Sequence, residues 1–283
     1  MTPEAVMAQH ARSFAPAARL LSRPDRLRVA RLYALCRSID DIADEIGGQI
    51  GRDRLLKLHD DLYQPNPRDQ LSVEARDLFN DRPLGLDAFA ILVMTTAEDT
   101  AKTCLPDCAI LDAYCMGVAG TVGVMICTLF DVDTAHHARA ADLGKAMQLS
   151  NICRDVAEDA RIGRRYLPFA LCPHGPEDII AGDPAALRAA EAAMAKLLDR
   201  ADGLYRSGHS GLAALPWRLR LAVAAAAAMY AGIGSELRRR HFQPLAGRAV
   251  VPVARKAALA VDAVRREILQ TRSSKNRQKH ART

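Results

Sequence analysis

Two stretches of this chain each set four polar side chains along one line of a helix, and each line ends in two aspartates four residues apart. In "YALCRSIDDIADE" the line is Tyr33, Arg37, Asp40 and Asp44, at offsets of 0, 4, 7 and 11. In "QLSNICRDVAEDARIGRRYLP" it is Gln148, Asn151, Asp155 and Asp159, at offsets of 0, 3, 7 and 11, with Leu149, Ile152, Val156 and Ala160 on the opposite side. With about 3.6 residues per turn, each set falls in one narrow stripe. A polar stripe ordinarily faces water. Ionised carboxylates one turn apart, however, repel by about a few tenths of a kcal/mol even when exposed. Asp41 and Glu45 add to the first cluster and Glu158 to the second. Folding alone does not favour such an arrangement twice, and a bound cation would relieve it.

The ligand types narrow the cation. Hard oxygen donors without neighbouring histidine or cysteine suit Mg²⁺, or Mn²⁺, which keep several waters and are shared between one or two carboxylates and a substrate phosphate. No Glu-x-x-His pair is present for a di-iron bundle, and the clusters lie within helical periodicity, unlike an EF-hand loop. Magnesium bridging carboxylates to diphosphate is the remaining reading.

The fold class follows from periodicity and composition. Half of the 283 residues are apolar, only 5% are aromatic, and no long period-2 run of β-branched residues occurs, so the chain is expected to be all-α. Breakers and periodicity give eight to ten helices. They fall at Pro24 to Gly47, 52–63, 71–80, Leu86 to Lys102, Pro106 to Phe130, Thr134 to Ala160, 184–207, 216–241, and Pro252 to about Thr271. No linker or composition shift divides them. One domain over 1–271 is expected, followed by a basic disordered tail, 272–283, in which Arg272, Lys275, Arg277, Lys279 and Arg282 meet no acid.

Seven cysteines without a C-x-x-C read as small core residues in a reducing compartment. The runs Val118 to Phe130 and Leu221 to Ser235 fall short of the roughly 18–20 residues that span a bilayer, and no signal core opens the chain. A cytoplasmic protein is expected. The tail suits peripheral contact with an anionic inner membrane surface, or mere solubility, at least as well as nucleic acid, for which no reader motif is present. In "YCMGVAGTVGVM", Gly117, Gly120 and Gly123 recur every third residue of a helix. Each costs about 0.5–1 kcal/mol against alanine there, and the repeat suits close helix packing, a smooth groove for a long flexible chain, or both.

The patches "ARSFAPAARLL", "LYALCRSIDDIADE", "YCMGVAGTVG" and "QLSNICRDVAEDARIGRRYLP" resemble the squalene and phytoene synthase family, the head-to-head prenyl synthases. The likeness runs from about Arg12 to Lys256, with a weaker patch in "YAGIGSELRRRHFQPLAGRAVV" that puts Tyr230 and Arg248 in register. It implies a single isoprenoid synthase-type helical bundle whose two aspartate helices face each other across a deep apolar cavity. Carried over, Asp40, Asp44, Asp155 and Asp159, with Asn151, hold Mg²⁺ against two diphosphates, and Gln148 extends the second cluster. Arg12, Ser13, Phe14, Arg37, Arg154 and Arg164 meet the substrate's phosphate end, and Gly120 the chain. Tyr33, Tyr114, Tyr166 and Tyr230 line the reaction zone. In "MTTAEDT", Asp99 stands where relatives carry an acid after a Gly-Met pair.

The activity so implied joins two prenyl diphosphates through a cyclopropylcarbinyl diphosphate to a linear hydrocarbon. "SFAPAARLL" and "YCMGVAGTVG" are more similar to bacterial phytoene synthases than to squalene-forming relatives. That favours two geranylgeranyl diphosphates giving phytoene by way of prephytoene diphosphate, without a nicotinamide cofactor. The alternatives are presqualene diphosphate, dehydrosqualene or squalene from farnesyl diphosphate, and a non-catalytic assembly or binding protein. The last is expected to have lost cluster residues, and here both D-x-x-x-D pairs are intact.

Overall fold

Ser22 accepts the amide hydrogen of Asp25 with Pro24 in the first turn, and Asp183 accepts two amides just before Pro184. Caps of this kind, satisfying otherwise orphaned donors, start several of the helices that make up the regular structure of the described residues. The computed structural model describes residues 1–11, 14–100 and 104–280, and in the last helix the side chains through residue 271. The helices are α1 (Pro3–His10), α2 (Phe14–Ala18), α3 (Arg23–Asp41), α4 (Gly48–Leu62), α5 (Gln70–Leu78), α6 (Pro83–Glu98) and α7 (Cys108–Cys115). They continue as α8 (Thr121–Leu129), α9 (His137–Arg161), α10 (Pro176–Ala181), α11 (Pro184–Gly211), α12 (Trp217–Arg239) and α13 (Val253–His280).

Helix α9 is the centre of the bundle, packed against α8, α11 and α12. Its apolar side, including Leu149, Ile152, Cys153 and Val156, joins one large core with Leu197 and Leu198 of α11 and Ala224 of α12. A second core, around Ile39, Leu55, Phe89 and Val93, ties α3, α4 and α6 together. The two cores hold α3 and α9 as opposing walls, and the aspartate ends of both polar stripes face the space between.

Two π-turns, Ile42–Ile46 and Met116–Gly120, interrupt this helical pattern. The first ends at Gly47, whose φ of 59° is open to glycine at little cost. The second splits the helix expected over 106–130 into α7, a π-turn and α8. Cys108–Leu129 is then a run long and apolar enough to cross a membrane by length and composition. It lies between α6 and α9 in the bundle, and its less buried positions, Ala119, Val122 and Ile126, line an internal cavity.

The glycine repeat serves packing more than a groove. A Cβ on Gly117 would lie 2.1 Å from Thr95 Oγ1 of α6, and one on Gly123 2.3 Å from the Ala140 carbonyl oxygen of α9. Reciprocally, a Cβ on Gly144 would come within 2.1 Å of the Ala119 carbonyl oxygen. These two backbones touch because neither carries a side chain at the crossing.

Three short helices, α1, α2 and α10, escape the periodicity reading because each is under three turns. Helix α6 starts at Pro83 rather than Leu86 and ends at Glu98, short of the expected Lys102. The last helix does not stop near Thr271; it runs to His280, since no glycine or proline follows Val253 to end it. Residues 272–280 thus continue α13 where a separate tail was expected, and 281–283 lie outside the described residues.

Candidate active site

Helix α9 ends in a tight left-handed turn. Gly163, at φ 75°, lets its own amide reach the Ala160 carbonyl at 3.0 Å and the Arg164 amide reach the Asp159 carbonyl at 2.9 Å. This Schellman closure needs a residue that tolerates positive φ, which explains the glycine in "RIGRRY". It turns Arg164 back over the site, where its Nη1 donates to Asp44 Oδ1 at 2.9 Å. The loop beyond is stitched to residues 104–106: Phe169 donates its amide to the Leu105 carbonyl at 2.8 Å, and buried Arg165 donates to the carbonyls of Cys172 and His174 beneath Phe169. Tyr166 is thereby fixed against Tyr114 of α7, the rings stacked with centroids 5.1 Å apart.

Between α3 and α9 lies a polar basin of about 250 Å³ bounded by Asp40, Asp44, Asp155 and Asp159, with Asp99, Tyr114, Tyr166 and Arg164 also on its wall. An apolar cavity of about 180 Å³ extends from it, walled by Val122, Ile126, Leu143, Leu212 and Val223. Gln148 and Asn151 line both, so they mark the junction.

The basin's electrostatics are unusual for carboxylates. Asp40 is exposed to the basin, but the basin's walls crowd it and thin the water around its carboxyl. That desolvation, with Asp44 beside it, pushes its pKa up to about 7 against the pull of Arg37. Burial and Asp155 likewise raise Asp159 to about 7, with Arg164 opposing. The other member of each pair is held by arginine: Asp44 by Arg164, and Asp155 by Arg154 at 2.7 Å and Arg248 at 2.8 and 3.1 Å. Arginine as well as a cation can therefore relieve the repulsion at Asp44 and Asp155: Arg164 and Arg248 come from far along the chain, and Arg154 is the next residue to Asp155.

Hard oxygen donors remain for a cation. Asn151 gives its Nδ2 to Gln148 Oε1 at 3.5 Å, which leaves its buried Oδ1 without a partner beside Asp155; buried Thr96 Oγ1 is likewise unpartnered on the basin wall. Crowded carboxylates that favour protons and an orphaned amide oxygen fit a hard divalent ion. Among the described residues no three His, Cys, Asp or Glu converge into a complete ligand set, so a cation here would draw its other ligands from water or a bound anion.

Asp99 is the residue that sequence reasoning left at the margin. Both Tyr114 and Tyr166 donate their hydroxyls to its Oδ2, at 2.8 and 2.7 Å. Burial and this carboxylate raise both phenols well above the ordinary tyrosine range. The signal was present in "MTTAEDT", but no spacing ties it to tyrosines 15 and 67 residues away.

The remaining sequence candidates divide. Tyr230 and Phe14 line the apolar cavity, not the phosphate end, and Tyr33 lines neither cavity, although burial and its neighbours Arg37 and Tyr230 set its environment. Arg37 is paired with Asp41 and lies off the basin wall, a correction to its expected place among the phosphate contacts. Gly120 is corrected too: it faces Met116 and Ala141 in helix packing and lines neither cavity, because the π-turn rotates it away. Arg12 and Ser13 lie outside the described residues.

Comparison with known proteins agrees in one direction. The family model described as squalene/phytoene synthase matches residues 7–267. The chain is 37% identical over 268 residues to a phytoene synthase of Rhodobacter capsulatus, covering 88% of this chain and 76% of that protein. It is 34% identical over 274 residues to a 15-cis-phytoene synthase of Enterobacter agglomerans, covering 89% and 90%. Among solved structures, a dehydrosqualene synthase in complex with ligand superposes with a TM-score of 0.81 at 25% identity, covering 95% of each chain.

Proposed function

This chain belongs to the squalene/phytoene synthase family, and on that premise we propose that it condenses two geranylgeranyl diphosphates head to head. The product is phytoene, formed by way of prephytoene diphosphate with release of diphosphate. The observation that carries this reading is the junction at Gln148 and Asn151, where a basin walled by two opposed aspartate pairs opens into an apolar cavity. A prenyl diphosphate has the same two parts, a polyanion joined to a hydrocarbon.

The residues divide the work accordingly. Asp40, Asp44, Asp155, Asp159 and the Asn151 amide oxygen would hold Mg²⁺, with Mn²⁺ as its substitute. Bound magnesium supplies the positive charge that stabilises a departing diphosphate. Arg164, Arg154 and Arg248, planar forks now paired with aspartates, exchange those partners for phosphate oxygens when substrate arrives. The aliphatic walls keep water from the allylic cation. The stacked rings of Tyr114 and Tyr166, pinned by Asp99, put π-faces and phenol dipoles near the same place. No residue here is assigned to a nicotinamide. Free thiols at all seven cysteines support a cytoplasmic setting, and the basic last helix supports contact with the inner membrane surface.

Incubation of the purified protein with Mg²⁺ and either geranylgeranyl or farnesyl diphosphate, followed by identification of the hydrocarbon, tests the reading. Phytoene from the longer substrate, unchanged by NADPH, is expected. Preference for farnesyl diphosphate, or diversion to squalene by NADPH, would move the chain to the fifteen-carbon branch of the family.

A further inference from the structure

Two of the elements that line the apolar reaction cavity, α2 and α12, also wall a second hollow. Phe14 lines the cavity while the next residues, Ala15, Pro16 and Ala17, line an apolar groove of about 1010 Å³. On α12, Val223 and Tyr230 face the cavity, and Ala225 and Met229 the groove. One layer of side chains from α2 and α12 separates them. The groove's other wall is α13.

Its chemistry is one-sided. Every described side chain lining the groove is apolar except Arg19, Lys256 and Arg265, and none is acidic. Val253, Val261 and Leu269, eight residues apart on α13, are 84%, 68% and 51% exposed along it. Helix α13 carries eight lysines and arginines against two acids, which equals the whole chain's net charge of +6. An exposed apolar strip on a basic helix matches a surface that is anionic outside and hydrocarbon within. A second copy of this chain would instead bring the same cations against these.

We infer that this groove docks on an anionic lipid bilayer. Acyl chains fill its apolar floor, and Arg19, Lys256 and Arg265 reach lipid phosphates on flexible stems. The purpose rests on the function proposed above, whose hydrocarbon product needs an apolar sink one side-chain layer from where it forms. The binding itself is measurable without substrate, so its failure and that of the catalytic reading are separable.

The test is co-sedimentation of the full chain with vesicles of phosphatidylcholine alone or mixed equally with phosphatidylglycerol, in physiological salt. The double variant V261Q/L269Q keeps the net charge and the whole basic end. It should bind the mixed vesicles about tenfold more weakly than wild type, with unchanged melting temperature and unchanged turnover in detergent. R265Q, alone, should weaken binding severalfold and flatten its salt dependence. Equal binding by wild type and V261Q/L269Q would overturn the inference, since charge alone would then suffice. So would wild type that ignores phosphatidylglycerol, or a wild-type dimer that the double variant converts to monomer.

Discussion

The two aspartate pairs solve the same repulsion differently. The first straddles the end of α3, Asp40 in its last turn and Asp44 in the π-turn beyond; the second lies wholly within α9. In the first pair the downstream member, Asp44, is bridged by an arginine from the far side of the basin. In the second it is the upstream member, Asp155, and two arginines share it. Asp40 and Asp159 take no salt bridge among the described residues, and desolvation with a neighbouring carboxylate raises both pKa values to about 7, so that each favours a proton where its partner has an arginine. Each pair therefore keeps one carboxylate tied and one open to exchange.

The sharpest break of that symmetry is substitution. Asp40→Asn, Asp44→Asn, Asp155→Asn and Asp159→Asn should each cut turnover by about a hundredfold or more, as loss of a group that organises transition-state charge does. Stability should split them. Asp155→Asn frees Arg154 and Arg248 and should lower the melting temperature by roughly 2–3 °C, whereas Asp40→Asn and Asp159→Asn relieve crowding and should leave it level or higher. Melting curves that fall equally for all four would erase the distinction between tied and open members.

Arginine substitution gives a smaller effect. Arg164→Ala and Arg248→Ala should raise KM for the prenyl diphosphate by about tenfold, the scale of one charge-assisted contact, with Arg248→Ala costing under about 1 kcal/mol of stability because that side chain is half exposed. An unchanged KM in both would mean that the arginines serve only the substrate-free protein.

The smallest effect is thermodynamic. Between pH 4 and 7 the unfolded chain ionises Asp40 and Asp159 while the folded protein still binds their protons, with folded pKa values of about 7. Stability from these groups should therefore fall as pH rises through that window, the penalty being complete above it. Mg²⁺, binding the ionised form, should raise the melting temperature more at pH 8 than at pH 5. An equal rise at both would show that the cation does not meet these two carboxylates.

Much of this was legible in the chain. Local periodicity carried α3, α9, α11 and α12, because one face of each is apolar over many turns. It also carried both aspartate pairs, because like charges one turn apart conflict with folding. What it could not carry was partnership across distance. Arg248 lies 93 residues from Asp155, and Arg164 120 residues from Asp44, so no spacing announced either bridge. Gly120 misled for the opposite reason: a three-residue glycine rhythm assumes a regular helix, and Met116–Gly120 is not one.

The π-turns themselves act as phase shifters. Each holds one residue more than an α-helical path requires; past Met116–Gly120 the helix resumes about 100° out of step with the one it left, whereas past Ile42–Ile46 the chain turns out of the helix at Gly47. Asp44 is therefore aimed by the extra residue in Ile42–Ile46 as well as by its own position, and Val122 and Gly123 by the one in Met116–Gly120. Drift in length has unequal consequences here. Deleting one residue from a surface loop would shorten a connection, but deleting one from Met116–Gly120 would restore a perfect helix and turn Val122 towards the wrong neighbour.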